Sequence, residues 1–135
     1  MPDCLFCKII SGELPSYKVY EDNDVLAFLD IHPVNVGHTL VIPKEHAASV
    51  MESSAEALTK VMLAVKKIAP VILSTVGADS FNLHNNVGGT AGQSVLHTHF
   101  HIIPRLVDDG HQMWKHKTVS TDELTQIAEN MRQQL

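Results

Sequence analysis

Histidines 97, 99 and 101 alternate along the segment Val95–Pro104 (VLHTHFHIIP), and this spacing constrains the chain more than any other feature. Alternate side chains of a strand share a face. The spacing therefore predicts a strand that projects three imidazoles together, with Leu96, Phe100 and Ile102 toward a core and Thr98 as the one polar residue on that opposite face. Imidazoles are poor core filling, because each has two ring nitrogens to satisfy. They suit proton transfer, nucleophilic attack or metal ligation near neutral pH. A hydrated outer face and a three-histidine metal site are the competing readings. An oxygenase-like or cupin-like centre calls for a carboxylate a few residues past the His-x-His pattern; here the first acid is Asp108.

Just upstream runs Gly88-Gly89-Thr90-Ala91-Gly92-Gln93-Ser94. Glycines let backbone N–H groups approach an anion, and a serine adds a hydroxyl donor. Phosphate-type donors beside nitrogen nucleophiles are what nucleotidyl transfer requires. The chain carries a net charge of −5, so the electrostatic footprint of a nucleic-acid binder is missing. A bound phosphate has to be met locally, and no nucleic-acid partner is expected.

With 135 residues, 44% of them hydrophobic, the chain fits one domain over residues 1–135. No apolar run approaches the ~18–20 residues that span a bilayer, and Met1-Pro2-Asp3-Cys4 has no leader pattern. A cytoplasmic protein without a membrane partner is expected. Strands are predicted over 17–21, 25–31, 38–43, 80–85 and 95–104. A capping box at Ser53 to Glu56 opens a long helix with Leu58, Met62, Val65, Ala69 and Ile72 inward. Pro70 should kink or end it. Residues 4–10 suggest a helical turn, and a second capping box at Ser120 opens an amphipathic terminal helix over about 120–135. The fold class is α+β: an antiparallel five-stranded sheet, the long helix packed on it, helices on one side, and a C-terminal helix.

The triad with its preceding Gly92-Gln93-Ser94 resembles the histidine triad (HIT) nucleotide-binding family. Phe28-Leu29-Asp30-Ile31, Gly37-His38-Thr39-Leu40-Val41-Ile42-Pro43-Lys44 with His46, and Cys4-Leu5-Phe6-Cys7-Lys8-Ile9-Ile10 extend the resemblance over residues 4–105. It implies a sheet-and-helix homodimer acting as a hydrolase or transferase on the α-phosphate of a purine nucleotide. It implies His99 as nucleophile, with His101, His38 and Ser94 assisting. Asp30 would bind the ribose, and Phe28, Ile31, Phe6 and Ile9 would line the base pocket. Asn86, Gly92, Gln93 and Ser94 would bond the phosphate or leaving group. Asn86 is closer to the phosphoramidase-like branch, whose substrates are nucleoside 5′-phosphoramidates, than to the branch for dinucleoside polyphosphates; acyl-adenylates offer the same phosphorus. Thr98 departs from the apolar residue that the family prefers there. A purine nucleotide-binding interaction module without catalysis is the alternative, against which an intact His38, Ser94, His99 and His101 set argues.

Cys4 and Cys7 could complete a Cys₂His₂ zinc site with distant histidines; two buried thiols or a redox pair are the alternatives. The resemblance supplies His46 and His97 as the remaining ligands of a structural zinc. His32, His84, His111 and His116 read as surface or edge residues.

Overall fold

The computed structural model describes residues 3–135; Met1 and Pro2, where the leader reading begins, lie outside them. The order is α1 (Leu5–Ile10), β1 (Lys18–Glu21), β2 (Val25–Leu29), β3 (Thr39–Pro43), α2 (Ala55–Val76), β4 (Ser80–His84), a 3₁₀ turn (Gly89–Ala91), β5 (Phe100–Arg105) and α3 (Thr121–Gln134). The strands form one antiparallel sheet in the order β1-β2-β3-β5-β4. Asp22 makes the first hairpin, its Oδ1 accepting from the N–H groups of Asp24 and Val25 at 2.8 Å. β5 returns from the edge strand β4 and inserts beside β3, which places His101 between Leu40 and His84.

The register divides the side chains between two faces. Val25, Ala27, Val41 and Ile102 pack against Val61, Ala64, Val65, Ile68, Ala69 and Ile72 of α2. On the other face Leu26, Phe28, Leu40 and Ile42 pack against Phe6 and Ile9 of α1. A central strand covered on both sides has no exposed position, and all five residues of β3 are buried. Each large aliphatic sealed this way contributes about 1.5–3 kcal/mol.

Several expectations change. Helices flank both faces of the sheet, because α1 carries its own apolar pair, Phe6 and Ile9, to the face α2 leaves free. The long helix is capped by Ser54, whose side chain accepts from the N–H of Ala57, one residue later than the predicted box. Of the residues read as inward, Val65, Ala69 and Ile72 are buried, Leu58 is half-buried and Met62 is exposed, while Val61, Ala64 and Ile68 complete the stripe that faces the sheet. The helix runs through Pro70 without ending. Pro70 and Lys66 both lie on the exposed side, so the Lys66 carbonyl that loses its N–H partner falls on the face open to solvent. β2 stops at Leu29, because Asp30 Oδ1 turns back to accept the N–H of His32 at 2.8 Å.

α3 begins at its predicted cap, Ser120 accepting from the N–H of Glu123, with acids in its first turn and Arg132 in its last. No residue of it is buried; Leu124, Ile127 and Met131 are exposed. No helix among the described residues is long and apolar enough to cross a membrane.

Candidate active site

The predicted triad strand begins late. Regular pairing starts at Phe100, opposite Val41, and residues 93–99 are irregular. Their backbone groups are taken by other partners: Thr98 N–H donates to the Ala47 carbonyl at 2.9 Å, and the Asn85 amide donates to the His99 carbonyl at 2.8 Å. All three imidazoles nevertheless lie on the α1 side of the sheet, as the alternation predicts: Phe6 stands edge-on to His97 at 6.0 Å and to His99 at 5.1 Å. Leu96, expected inside, is 67% exposed. His97 turns inward among Cys4, Cys7 and His46, whereas His99 and His101 stay together with centroids 5.1 Å apart. Thr98 is buried, and its hydroxyl pairs with that of Ser53 at 2.6 Å, which explains how a polar residue is accommodated here.

His99 and His101 line a cavity of about 450 Å³ on the α1 face of the sheet. Phe6 and Ile9 of α1, Leu14, Phe28 and Leu40 form an apolar wall; Ser16, Asp30, His32, Ser94 and the two histidines supply its polar lining. Ile31 also lines it but is 70% exposed, at the mouth. No lysine or arginine is among the lining residues. Phe6 stands edge-on to His99 at 5.1 Å and to Phe28 at 5.6 Å, so α1 packs directly against the His99 ring.

The backbone decides which nitrogen of each ring carries hydrogen. A carbonyl only accepts, so His99 Nδ1, 2.6 Å from the His97 carbonyl, is the protonated nitrogen and Nε2 keeps its lone pair. His38 Nδ1 accepts from the Val34 N–H at 3.0 Å. Neutral His38 therefore bears its hydrogen on Nε2 and donates it to His101 Nδ1 at 2.9 Å. His101 in turn carries hydrogen on Nε2, a buried atom with no partner among the described residues. In a cavity wall, such an orphaned donor is a place for a ligand oxygen. Burial, then the neighbouring His99 and His38, pushes His101 down to about 4, so it is a neutral donor at pH 7. Burial likewise lowers His38. His38 itself stands behind His101, outside the cavity lining. Its loop reaches it through Gly37, at φ +90°, where a Cβ would lie 2.8 Å from Val76.

Asp30 divides its oxygens. Oδ1 caps the turn at His32, while Oδ2 faces the cavity end, 3.6 Å from His38 Nε2. Gln93 is spent on the loop: its amide donates to the Ala48 and Val95 carbonyls at 2.7 and 3.0 Å, and its oxygen accepts from Gly88. Asn86 and Gly92 are also outside the cavity lining; Gly92 turns the loop at φ +93°, with Asn86 Nδ2 3.6 Å from where its Cβ would be. Ser94, by contrast, lines the cavity. Sequence reading missed Asn85, Leu14 and Leu40. Leu40 pairs with His101 through a strand register that the sequence does not print, and Asn85 carried no signal apart from its neighbour Asn86.

Cys4, Cys7, His46 and His97 place one donor atom each within 4.8 Å of one another. His97 Nε2 donates to the Pro43 carbonyl at 2.8 Å, leaving the Nδ1 lone pair 3.4 Å from Cys4 Sγ and 3.1 Å from His46 Nδ1. Cys7 Sγ lies 3.3 Å from His46 Nδ1. Ligands at ~2.0–2.3 Å in a tetrahedron are separated by about 3.3–3.8 Å, so the four atoms fit the edges of a tetrahedral site with slight adjustment.

The HIT domain family model matches residues 11–107. An adenosine 5′-monophosphoramidase of Schizosaccharomyces pombe is 41% identical over 130 residues, covering 95% of each chain. An adenylylsulfatase of Arabidopsis thaliana is 39% identical, covering 98% of this chain and 70% of the relative. A crystal structure of a Streptococcus mutans protein superposes with a TM-score of 0.94 at 43% identity, covering 99% of this chain and 86% of the other.

Proposed function

Because the chain belongs to the HIT domain family, we propose that it is a nucleotide hydrolase or transferase that attacks the α-phosphorus of nucleoside 5′-phosphoramidates or related substrates through His99. The observation that carries this reading is the pair of opposite ring states at one cavity end: a lone pair on His99 Nε2 and an unpartnered N–H on His101. The first is a nucleophile that needs no base to activate it; the second is a donor for a non-bridging oxygen.

The purine lies against Phe6, Ile9, Phe28 and Ile31, and Asp30 Oδ2 accepts from the ribose. His99 Nε2 forms a bond to phosphorus as the bond to the amine or phosphate leaving group breaks. The leaving group departs with the electron pair and takes up a proton from solvent, which the hydrolytic water returns in the second step. Water then cleaves the phosphorus–nitrogen bond and regenerates His99. His101 and Ser94 meet the charge on the oxygens, and His38 holds His101 in its donor tautomer. The monophosphoramidase and the adenylylsulfatase among the relatives both split a bond at an adenylyl group, which supports adenylyl transfer as the shared step. A binder with no catalysis could use the His101 donor but has no need of a free lone pair on His99 Nε2.

Cys4, Cys7, His46 and His97 are proposed to hold a structural zinc that ties α1 to the sheet. A homodimer belongs to the same reading; Phe81 and Leu83 on edge strand β4 leave apolar surface for it. The test is turnover of adenosine 5′-phosphoramidate. His99→Gly should abolish it while AMP binding persists, and full residual activity rejects His99 as nucleophile.

A further inference from the structure

Beyond the triad, one charged side chain outside the cavity is saturated with hydrogen bonds. Asp109 is 5% exposed and accepts from Arg105 Nε at 2.8 Å and Nη2 at 3.2 Å. It also accepts from the Leu106 and His111 N–H groups at 3.2 and 3.0 Å, and from the Asn35 amide at 3.0 Å. Arg105 beside it holds the carboxyl well below the usual range. The turn that presents it needs Asp108 at φ +60°, a conformation uncommon outside glycine. A solvated surface charge requires none of this.

What the cluster grips is the loop ahead of His38. The second hydrogen of the Asn35 amide goes to the Pro104 carbonyl at 2.9 Å, so that side chain is fixed at both ends. Asn35 O accepts the His38 N–H at 3.1 Å. His111 Nε2, across the same turn, donates to the Val34 carbonyl at 3.0 Å. Val34 is thus anchored through its carbonyl while its N–H points at His38 Nδ1.

We propose that Asp109, with His111 and Asn35, is a positioning clamp that sets the tautomer of the His38–His101 pair through the Val34 N–H. The inference rests on the proposed role of His101 as an oxygen donor. The pair has two neutral arrangements. With Val34 N–H on His38 Nδ1, hydrogens run from His38 Nε2 to His101 Nδ1, and His101 Nε2–H faces the cavity. Without it, the His38 hydrogen can sit on Nδ1. His101 then donates from Nδ1 to His38 Nε2 and turns a lone pair toward the cavity. That lone pair repels a phosphate oxygen. Both arrangements conserve the protons; the clamp selects between them, and Asp109 never touches substrate.

The experiment measures the His38 and His101 tautomers by imidazole ¹⁵N correlation spectra, together with kcat for adenosine 5′-phosphoramidate and Kd for AMP. Asp109→Asn should populate the Nδ1–H form of His38 and lower kcat about 10–100-fold, with AMP binding weakened as well but by a smaller factor, because the apolar wall that holds the base is built elsewhere. Exposed His111 supplies variants that keep the fold: His111→Leu should shift the tautomer in the same direction, and His111→Gln, which retains an N–H donor, should recover what is lost. Folded Asp109→Asn with the native tautomer overturns the clamp, and so does an unchanged kcat beside a shifted tautomer. Should Asp109→Asn fail to fold, an unshifted tautomer in His111→Leu overturns it. Should the wild type not turn over the phosphoramidate, the functional reading fails, and the tautomer spectra still decide whether the clamp exists.

Discussion

At the residue scale, each ring of the site has one nitrogen committed to a fixed partner, and that commitment decides what the other can do. His101 carries the clearest consequence for stability. Its value of about 4 in the folded chain lies below the ordinary 6.5. Between those two pH values the unfolded chain binds a proton that the folded chain refuses, so folding weakens as pH falls from 6.5 to 4 and changes no further below. The contribution is on the order of 2 kcal/mol, given about 1.36 kcal/mol per pKa unit and partial burial. Denaturant unfolding across this range should show wild type losing roughly that much more than His101→Gln; parallel curves would refute the assignment. Thr98 makes a second point at this scale. Its hydroxyl bonds Ser53, whose own hydrogen goes to the Ser49 carbonyl, so Thr98→Val should cost about 1 kcal/mol by removing the bond that Ser53 Oγ accepts, measured in the same assay at pH 7. A gain in stability would mean that the pair is not formed.

At the element scale, α2 tolerates Pro70 because the missing hydrogen bond falls on the wet side. Pro70→Ala should therefore stabilise the protein by roughly 1–3 kcal/mol, read from the urea midpoint; an unchanged midpoint would show that the ring packs against something of value. Helix and strand existence was legible wherever periodicity is long: α2, β2 and β3 sit where their patterns place them. The phase of α2 was legible in part: Val65, Ala69 and Ile72 are buried as read, but Leu58 is only half-buried and Met62 exposed, and the sequence does not mark which apolar residue meets the sheet. The start of β5 was hidden for another reason. Alternation of His97, His99 and His101 reads as a strand, but the pairing of residues 97–99 is pre-empted by Asn85 and the Ala47 carbonyl, both remote in sequence. The Asp109 clamp was equally invisible: an acid and an arginine four apart in an irregular segment look like solvated charges.

At the scale of the whole molecule, the sheet separates two tasks. One face is sealed by a 22-residue helix, and the other carries the cavity behind a helix of only six residues. A helix that short does not hold itself; α1 is held by Phe6 and Ile9 and, on the proposed reading, by zinc at Cys4 and Cys7. Removing the metal with a chelator, or Cys7→Ser, should lower Tm by about 5 °C or more and weaken AMP binding together, since Phe6 and Ile9 are cavity wall. Loss of metal with both quantities unchanged would detach the cluster from the site. The central claim concerns His99, and one measurement reaches it directly. Wild-type protein mixed with adenosine 5′-phosphoramidate, quenched without acid, digested and examined by mass spectrometry should show an adenylyl group on the peptide containing His99 and localised to that ring. Rapid turnover with no adenylylated histidine, or with the group on His101 or His38, would contradict the account.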